Sequence, residues 1–399
     1  MSQHALLSAG AKSWRSLACL RTELRLDLTL GCGQTFRWRE TGEGHWTGVM
    51  GGRVWTLTQT DDTLWYYTYS TPGSEGEMNG RKRRVGARPH GPVKKAKGMI
   101  MVKEEEPTED QEPKVMTPER DIKEEETLKD YFQLNVKLAD LYREWGTADQ
   151  HFKRIAQTFT GVRMLRQDPT ECLFSFICTS NNHISRIQGM VERLCHTLGP
   201  PLCQLDGTSY HDFPPLQALA DSSVEACLRN LGFGYRARFL QQSARQIVDT
   251  HDSRWLDSLR GVPYFQARDA LRTLPGVGLK VADCVCLMSL DKACAVPVDT
   301  HVWQIAQRDY RCGVGKGQKS LTDKVHRDIG DFFRQLWGPY AGWAHSVLFC
   351  SDLKKFQKLK ETAVKKEEVA EVKITSEKTA KKSGRGASVP RVKREAVAE

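Results

Sequence analysis

The sequence predicts an α+β protein, in which an N-terminal antiparallel β-sheet with flanking helices precedes an all-α region. Between Ser16 and about residue 70, short runs rich in β-branched and aromatic residues alternate apolar and polar positions, as half-buried strands do. From Leu128 onward, apolar residues recur three or four positions apart, which is the period of an amphipathic helix. A charged stretch with interspersed Pro and Gly separates the two patterns.

The size and charge of the chain narrow its class. A length of 399 residues predicts two or three domains, and 39% hydrophobic residues suffice for a substantial core. The 27% of charged residues and a mean hydropathy of −0.51 indicate polar tails in addition. A net charge of +10 favours an acidic partner, either nucleic acid or an anionic membrane.

The predicted N-terminal domain comprises residues 13–71 and 127–150, preceded by a flexible N-terminus at residues 1–12. Its strand-like runs are LRLDLTL, FRWRE, HWTGVM, RVWTLTQ and LWYYTY. The segment around Gly33 interrupts this alternation, and from the residues alone it is a turn that connects strands.

Residues 72–126 are predicted to be a disordered insertion. A basic block containing RKRR and VKKAKG is followed by an acidic block, and neither can bury enough apolar surface to offset the entropy lost on ordering. The basic block is also compatible with nuclear import, so we expect a nuclear protein, with a mitochondrial form left open.

The predicted helical region spans residues 151–353, and a disordered basic tail at 354–399 follows it. The tail is rich in Lys, which adds weak, nonspecific attraction to DNA. The chain has no uninterrupted apolar run long enough to span a bilayer and no apolar signal-peptide core, so we expect no membrane association. Its 12 cysteines are scattered without repeated CxxC spacing, which predicts reduced thiols, no iron–sulfur cluster, no catalytic metal and no other cofactor.

The most informative stretch is LPGVGLKVADCVCLMSLDKACAVPVD, from Leu274 to Asp299. Pro275 and the two glycines do not fit a regular helix, so we expect the helix to begin at or just after Gly278. Because residues 264–273 also have a helical pattern, the unit is a helix, a Gly-rich hairpin and a second helix. The unpaired amides of the hairpin then form an anion site that suits a phosphodiester.

Lys280 and Asp299 lie close to this predicted phosphate site in sequence and supply a nucleophile or base and a carboxylate. Cys284 follows Lys280 by four residues, which places both on one helix face. The alternative interpretation is an ordinary helical hairpin with a solvated lysine, a core cysteine and an aspartate that caps the next helix. Composition and residue spacing alone therefore predict only a helical DNA-binding protein with a candidate lysine nucleophile.

The hairpin together with Pro297-Val298-Asp299 resembles the helix-hairpin-helix, Gly/Pro...Asp motif of base-excision DNA glycosylases, whose lysine version is bifunctional. The N-terminal segments RTELRLDLTL, GQTFRW and VWTLTQT resemble vertebrate 8-oxoguanine DNA glycosylases in particular. This resemblance covers about residues 14–70 and 128–353. It implies excision of 8-oxoguanine opposite cytosine from duplex DNA, with an associated apurinic/apyrimidinic lyase activity in base-excision repair.

The chemistry that the resemblance implies begins with extrusion of the damaged nucleotide, since its sugar cannot be attacked inside a duplex. Lys280 then attacks the sugar C1′, expels the base and leaves a Schiff base, and β-elimination nicks the strand. A lysine with a pKa of about 10.4 is almost wholly protonated at neutral pH, so Cys284 is assigned to favouring the amine. Asp299 is assigned to stabilising the positive charge at C1′ and to proton transfer.

The resemblance also assigns residues to the damaged base. The Gly33 carbonyl accepts from the N7–H that oxidation creates, Pro297 lines the pocket, and Phe349 stacks on the base. The family's GPYAGWAQ here reads GPYAGWAH, so His345 replaces the Gln that contacts the Watson–Crick edge. A neutral His accepts from N1–H or N2–H, so affinity is expected to fall as pH drops through its pKa, about 6.5 if unperturbed.

Other positions are assigned to the opposite strand and the DNA backbone, although single residues of these types are more often helix caps or surface packing. We expect the protein to act as a monomer on 8-oxoguanine–cytosine duplexes, with downstream base-excision repair proteins as further partners. A glycosylase for another lesion and a non-catalytic helix-hairpin-helix module independent of Lys280 are the alternatives. The assigned positions are Asn181, Asn182, Arg186, Tyr235 and Arg236 for the estranged cytosine, and Gly276, Gly278, His301 and Gln318 for DNA.

Overall fold

The computed structural model describes residues 2–9, 13–69, 118–315 and 317–362. Five N-terminal strands form one antiparallel sheet in the order β1-β5-β4-β3-β2. The predicted α+β architecture is confirmed. The strands are β1 (Arg15–Ala18), β2 (Trp38–Gly42), β3 (His45–Met50), β4 (Arg53–Gln59) and β5 (Thr63–Thr68).

Helices make up most of the remaining described chain, and a two-stranded hairpin of β6 (Pro201–Leu205) and β7 (Thr208–His211) interrupts them. This hairpin is absent from the predicted all-α region, although its Asp206-Gly207 turn, with φ of +47° and +77°, is a recognised hairpin signal. The helices are α1 (Leu26–Thr29), α2 (Pro118–Tyr131), α3 (Leu138–Ala148), α4 (Gln150–Thr158), α5 (Pro169–Ile177), α6 (Ile184–Leu198), α7 (Leu216–Ala220), α8 (Val224–Asn230), α9 (Arg236–Thr250), α10 (Trp255–Ser258), α11 (Tyr264–Leu271), α12 (Leu279–Ser289), α13 (Thr300–Arg308), α14 (Asp323–Trp337) and α15 (Ala341–Asp352).

The run LRLDLTL, predicted as a strand, is wrong as a strand because its centre forms α1. Tertiary hydrogen bonds decide its conformation. The side chain of Gln59 accepts from the Leu26 amide at 2.6 Å and donates to the Leu24 carbonyl at 2.9 Å. These bonds replace the ladder partners that a strand would need.

The predicted flexible N-terminus is also wrong in part, because residues 2–9 pack against the β6–β7 turn. The Asp206 carboxylate accepts from Ser2 at 2.7 Å and from the Gln3 amide at 2.7 Å, and it lies 2.7 Å from Nδ1 of His4. His4 itself is buried. One carboxylate on a tight turn thus anchors the start of the chain.

The predicted disordered insertion ends too late in the sequence, because residues 118–126 belong to α2. The side chain of Glu124 is 2% exposed and accepts from Arg15 of β1 and, at 2.7 Å, from Arg53 of β4. The Thr68 hydroxyl donates to the same carboxylate at 3.2 Å. These charges are therefore neutralised against the sheet, and the part of the predicted insertion before residue 118 lies outside the described residues.

The predicted basic tail likewise begins too early. A 3-10 turn at Lys354–Phe356 and a helical segment through residue 362 follow α15. Phe356 is buried, and its ring centroid lies 6.4 Å from that of Phe159. One apolar residue thus fixes the start of the segment to the core, and residues 363–399 lie outside the described chain.

The core has a sheet part and a larger helical part. In the sheet part, Trp38, Trp55 and Leu128 pack together, so α2 covers one face of the sheet. In the helical part, α5 and α12 pack against each other at the centre. No helix among the described residues combines the length and the apolar character needed to cross a membrane.

Candidate active site

The helix-hairpin-helix is present as predicted, with α11 and α12 joined by the Pro-Gly-Val-Gly turn. Gly276 has φ of +78°, and a Cβ there would lie 2.7 Å from the Phe239 side chain, so the turn itself requires glycine. Gly278 is the N-cap of α12, which confirms the predicted helix start, and a Cβ there would meet nothing within 4 Å. The first amides of α12 have no carbonyl partner within the helix, and the open space at Gly278 leaves room for a phosphate to bind them.

A buried carboxylate, which the sequence analysis did not single out, holds this hairpin in place. Asp283 of α12 is 1% exposed, accepts from the Tyr264 hydroxyl of α11 at 2.7 Å and lies 2.7 Å from Nε2 of His326 on α14. In addition, the Ser243 hydroxyl of α9 donates to the Pro275 carbonyl at 2.8 Å. The two helices of the hairpin are thus fixed to each other and to their neighbours.

Lys280 is the exception in α12, since every other residue of that helix is buried. Its Nζ donates to Oγ1 of Thr179 at 3.0 Å and lies 5.1 Å from the centroid of the Phe176 ring. Both contacts come from the C-terminal end of α5 and the residues after it. An amine is therefore held at the edge of the core by the end of α5.

Cys284 lies next to Lys280, as the spacing predicted. Burial raises the pKa of its thiol to about 11, and the nearby Lys280 cation opposes this shift. At neutral pH the group is consequently a thiol, which cannot take a proton from the Lys280 ammonium. The structure therefore places Cys284 in contact with the amine without making it a base.

Asp299 is the N-cap of α13, and its side chain accepts from the Val302 amide at 3.0 Å. This confirms the capping role that the sequence analysis gave as an alternative. The carboxylate is also close enough to Cys284 and His345 to influence the pKa of each electrostatically. A capped and therefore well-oriented carboxylate stands near Cys284, which contacts the lysine, and near His345 of the predicted base pocket.

The predicted base pocket contains Pro297, His345 and Phe349. Pro297 is buried, and the half-buried Phe349 ring lies 6.3 Å from the His345 ring and 6.4 Å from the exposed His301 ring, measured between centroids. Phe349 thus contacts both histidines. His345 is 6% exposed, so a base that stacks on Phe349 would meet the edge of His345 only after the side chains around it move.

The pKa of His345, about 6.5 if unperturbed, is perturbed by the packing of the pocket. Burial lowers its pKa to about 4, while the Asp299 carboxylate acts in the opposite direction. Among the described residues, neither ring nitrogen has a hydrogen-bond partner of good geometry. The ring is therefore neutral at physiological pH before any ligand arrives, and its nitrogens are available to one.

The Gly33 segment is a turn between α1 and β2, and Phe36 at its end contacts the Phe176 ring on which Lys280 lies. Gly33 has φ of +84°, and a Cβ there would approach Cδ1 of Ile184 to 2.8 Å. The buried Gln34 amide donates to the Thr29 and Arg163 carbonyls, each at 2.9 Å, and accepts from the Leu165 amide at 3.0 Å. The sequence analysis missed this bracing role of Gln34, because its partner segment is about 130 residues away in the chain.

The asparagine pair lies in the connection between α5 and α6. Asn181 is exposed with φ of +47°, and Nδ2 of Asn182 donates to the Cys178 carbonyl at 3.0 Å. The N-cap of α6 is His183, so neither asparagine caps that helix. Arg186 is exposed on the first turn of α6.

Tyr235 and Arg236 meet the same connection from the start of α9. Tyr235 is 49% exposed, and its hydroxyl donates to the Ser180 carbonyl at 3.2 Å. Arg236 is only 4% exposed, donates to the Ser180 carbonyl and, at 3.1 Å, to that of Asn181, and stacks on the Tyr235 ring at 4.6 Å. Tyr235 is thus half exposed beside this connection, whereas the buried Arg236 fixes the Asn181 turn in this conformation.

Gln318 is exposed in the loop between α13 and α14. Its amide donates to the Gly315 carbonyl at 3.0 Å, and its side chain accepts from the Thr322 hydroxyl at 3.4 Å. The second bond connects the loop to the N-cap of α14.

Comparison with known families places two matches side by side along the chain. Residues 16–173 match the family described as 8-oxoguanine DNA glycosylase, N-terminal domain. Residues 174–328 match the family described as HhH-GPD superfamily base excision DNA repair protein. Together they span the sheet, the Gly33 turn and the hairpin with Lys280.

Individual relatives agree with these matches. The chain is 36% identical over 376 residues to the N-glycosylase/DNA lyase OGG1 of Arabidopsis thaliana, covering 92% of this chain and 89% of that protein. It is 41% identical over 246 residues to the N-glycosylase/DNA lyase of Saccharomyces cerevisiae, covering 56% and 65% respectively.

Solved structures with the same fold include MBOgg1 in complex with a low affinity DNA ligand, at a TM-score of 0.65 and 25% identity, covering 86% of this chain and 96% of that one. The apo form of the Clostridium acetobutylicum 8-oxoguanine glycosylase/lyase superposes with a TM-score of 0.64 at 23% identity, covering 85% and 96%.

Proposed function

This chain belongs to the 8-oxoguanine DNA glycosylase family of N-glycosylase/DNA lyases, and we propose that it excises 8-oxoguanine paired with cytosine through a Schiff base on Lys280. Membership of this family makes the chain an N-glycosylase with apurinic/apyrimidinic lyase activity in base-excision repair. The observation that supports this proposal is the amine of Lys280, the one residue of α12 that is not buried, in the first turn of the helix that follows the hairpin.

In the proposed reaction, the hairpin binds the DNA backbone and the amine of Lys280 is the nucleophile. Backbone amides after Gly276 and Gly278 hold a phosphate, which brings the extruded sugar to Lys280. The neutral amine attacks C1′, the bond to the base breaks, and the resulting imine supports β-elimination. Asp299 stabilises the positive charge that develops at C1′, since its carboxylate is already oriented by the α13 cap.

Recognition of the base rests on a change at N7. Oxidation replaces a lone pair there by N7–H, so the Gly33 carbonyl gains a hydrogen bond with 8-oxoguanine and repels guanine. In a desolvated site this contrast is worth a few kcal/mol. Phe349 and Pro297 enclose the base, and neutral His345 accepts from its N1–H or N2–H.

The opposite strand is proposed to be read from the connection between α5 and α6. Asn181, Asn182, Arg186 and Arg236 offer amide and guanidinium groups to the estranged cytosine, and Arg236 must first leave the carbonyls that it now holds. Tyr235 fills the vacated stack.

The remaining assignments concern the DNA backbone and the setting of the enzyme. His301 and Gln318 are exposed and are proposed to contact phosphates. We further propose that the protein acts as a monomer in the nucleus, with a mitochondrial form also compatible, and passes its nicked product to downstream base-excision repair proteins.

Borohydride trapping on duplexes that carry 8-oxoguanine opposite each of the four bases tests this proposal. We expect a covalent adduct that is strongest opposite cytosine and absent with undamaged guanine. Equal trapping opposite all four bases would contradict the reading of cytosine. Trapping with a different lesion only would favour another glycosylase specificity, and a bound duplex that never traps would favour a non-catalytic binding module.

The buried His345 predicts a pH-dependent stability. Its pKa is about 4 in the folded protein and about 6.5 when unfolded, so between these values the unfolded chain binds the extra proton. Stability is therefore complete above about pH 6.5 and falls as pH drops, by about 2 kcal/mol at pH 5. His345→Gln should remove this loss, measured by urea denaturation from about pH 5 to 7.5, whereas exposed His301→Gln should retain it.

Lesion binding gives the matching control. Because His345 is already neutral, binding in a Lys280→Gln background should have the same pH profile with His or Gln at 345 between about pH 5.5 and 8. Profiles that separate near pH 6.5 would show that the ring is solvated in the free enzyme. Stability curves that stay parallel would contradict its buried, neutral state.

A further inference from the structure

Thr179, two residues beyond the end of α5, accepts a side-chain hydrogen bond at 3.0 Å from the Lys280 amine, which Cys284 also contacts. We propose that Thr179 is a positioning residue that holds Nζ of Lys280 in a single orientation and favours its protonated resting form. This inference rests on the proposed function, since Thr179 acts on the reaction only through the lysine.

The direction of the hydrogen bonds carries the proposal. A hydroxyl has one proton to donate, and that of Thr179 goes to the Phe176 carbonyl at 2.7 Å. Towards Lys280 the oxygen is then an acceptor only, and Nζ donates to it at 3.0 Å. The bond to Phe176 also restricts rotation of the hydroxyl, so its lone pairs remain aimed at the amine.

The Phe176 ring supports the same arrangement. The ammonium lies 5.1 Å from the ring centroid, where the π face attracts a cation. On its other side this ring contacts Phe36, which follows the Gly33 turn, at 5.6 Å between centroids. Thr179 and Phe176 therefore hold the amine beside the turn that is proposed to read the base.

These contacts have two opposing effects on catalysis. Holding Nζ in one place orients the nucleophile towards C1′ before the reaction, which raises the rate. An acceptor and an aromatic face both favour the ammonium over the amine, which delays formation of the nucleophile. Loss of the hydroxyl should consequently lower the maximal rate and at the same time move the activating ionisation to lower pH.

A purely structural role predicts a different outcome. The bond from Thr179 to Phe176 closes the end of α5, so its loss can lower stability on its own. Such a loss leaves the ionisation of Lys280 in the folded enzyme unchanged. The position of the pH profile therefore separates the two roles, whatever happens to stability.

The test compares full-length wild type, Thr179→Val and Thr179→Ser in single-turnover release of 8-oxoguanine opposite cytosine as a function of pH. For Thr179→Val we expect a plateau about tenfold lower and an acidic limb shifted down by about half to one pH unit. Thr179→Ser should keep both values. Thr147→Val is the control, because the Thr147 hydroxyl, among residues with a described position, bonds only to the Arg143 carbonyl of its own helix at 2.9 Å.

A second readout works without a lesion. Reductive methylation of Lys280 by formaldehyde and borohydride, followed by mass spectrometry, reports the pH at which its amine becomes reactive in the free enzyme. Thr179→Val should lower that pH, and Thr179→Ala should do the same if the valine variant fails to fold. Methylation that follows the wild-type curve in both variants would overturn the proposal, as would a serine variant as impaired as the valine.

The two readouts keep this inference separate from the proposed function. If wild type releases no 8-oxoguanine, the proposed function fails, whereas the methylation curves still decide whether Thr179 holds the amine. If wild type is active and all curves coincide, only the role of Thr179 fails.

Discussion

Replacement of Lys280 by glutamine is expected to abolish both base release and the borohydride-trapped adduct while duplex binding stays close to wild type. Removal of a covalent nucleophile costs on the order of 10³-fold or more in rate. Glutamine keeps most of the length of lysine and can still donate to Oγ1 of Thr179, so the packing around α5 should survive. Single-turnover release and trapping measure the chemistry, and fluorescence anisotropy with an 8-oxoguanine duplex measures binding.

The matched control is Lys324→Gln. Lys324 is an exposed lysine whose Nζ, within the part of the chain that the structure describes, pairs only with Asp328 of its own helix at 2.9 Å, so its loss should leave trapping unchanged. If Lys280→Gln still traps at the wild-type yield, another amine is the nucleophile. If the variant loses duplex binding to the same extent as activity, the proposal that backbone amides bind the DNA while the amine only reacts is wrong.

Removal of the acidic start of α2 is expected to lower the free energy of unfolding more than removal of the charged segment before it. A short Gly-Ser linker in place of residues 72–117 should leave excision and stability nearly unchanged, since sequences of that composition rarely fold. Extending the deletion through residue 126 also removes Glu124, which leaves Arg15 and Arg53 without their shared carboxylate. Breaking a buried ion pair in this way costs about 3–5 kcal/mol, somewhat less where the partner is partly exposed.

Single substitutions check the cause of that loss. Glu124→Ala should reproduce most of the destabilisation in urea denaturation. Glu125→Ala, next to it, removes only a surface pair with Lys129 and should change stability by less than about 0.5 kcal/mol. Equal stability of the two deletions would show that Glu124 does not bind α2 to the sheet.

The parts of the fold that the sequence predicted correctly are those fixed by local chemistry. The start of α12 at Gly278 follows from Pro275 and the glycines, whose backbone preferences act within a few residues. The strands from β2 to β5 follow from alternation along each strand and lie next to each other in sequence.

The wrong predictions concern segments whose conformation depends on distant partners. Glu124 belongs to a charged stretch that is disordered by composition, and it is ordered by arginines 109 and 71 residues away. The predicted strand at Leu26 is a helix because Gln59 captures its backbone. Composition and periodicity contain no information about such contacts, so these boundaries could not be predicted.

The same distinction holds in the site. Lys280 and Asp299 were found because their motif is contiguous, whereas Thr179 was missed because it meets Lys280 across 101 residues of chain. The lowered pKa of His345 was missed as well, because burial is a property of the packed pocket. The motif thus identifies which groups react, and packing determines the positions and protonation states of the site residues in the free enzyme.

The central helix α5 limits how this enzyme can be recombined with its relatives. The two matched families meet between residues 173 and 174, inside α5, and all of its residues except Thr170 and Glu171 are buried. A chimera spliced at that junction would join sequences from two different proteins within one turn of a packed helix. Thr179 and Lys280 would then both come from the protein that supplies the C-terminal part. Exchange of segments is therefore better tolerated outside α5, and the catalytic half is inherited together with the end of α5 and the residues after it that position the lysine.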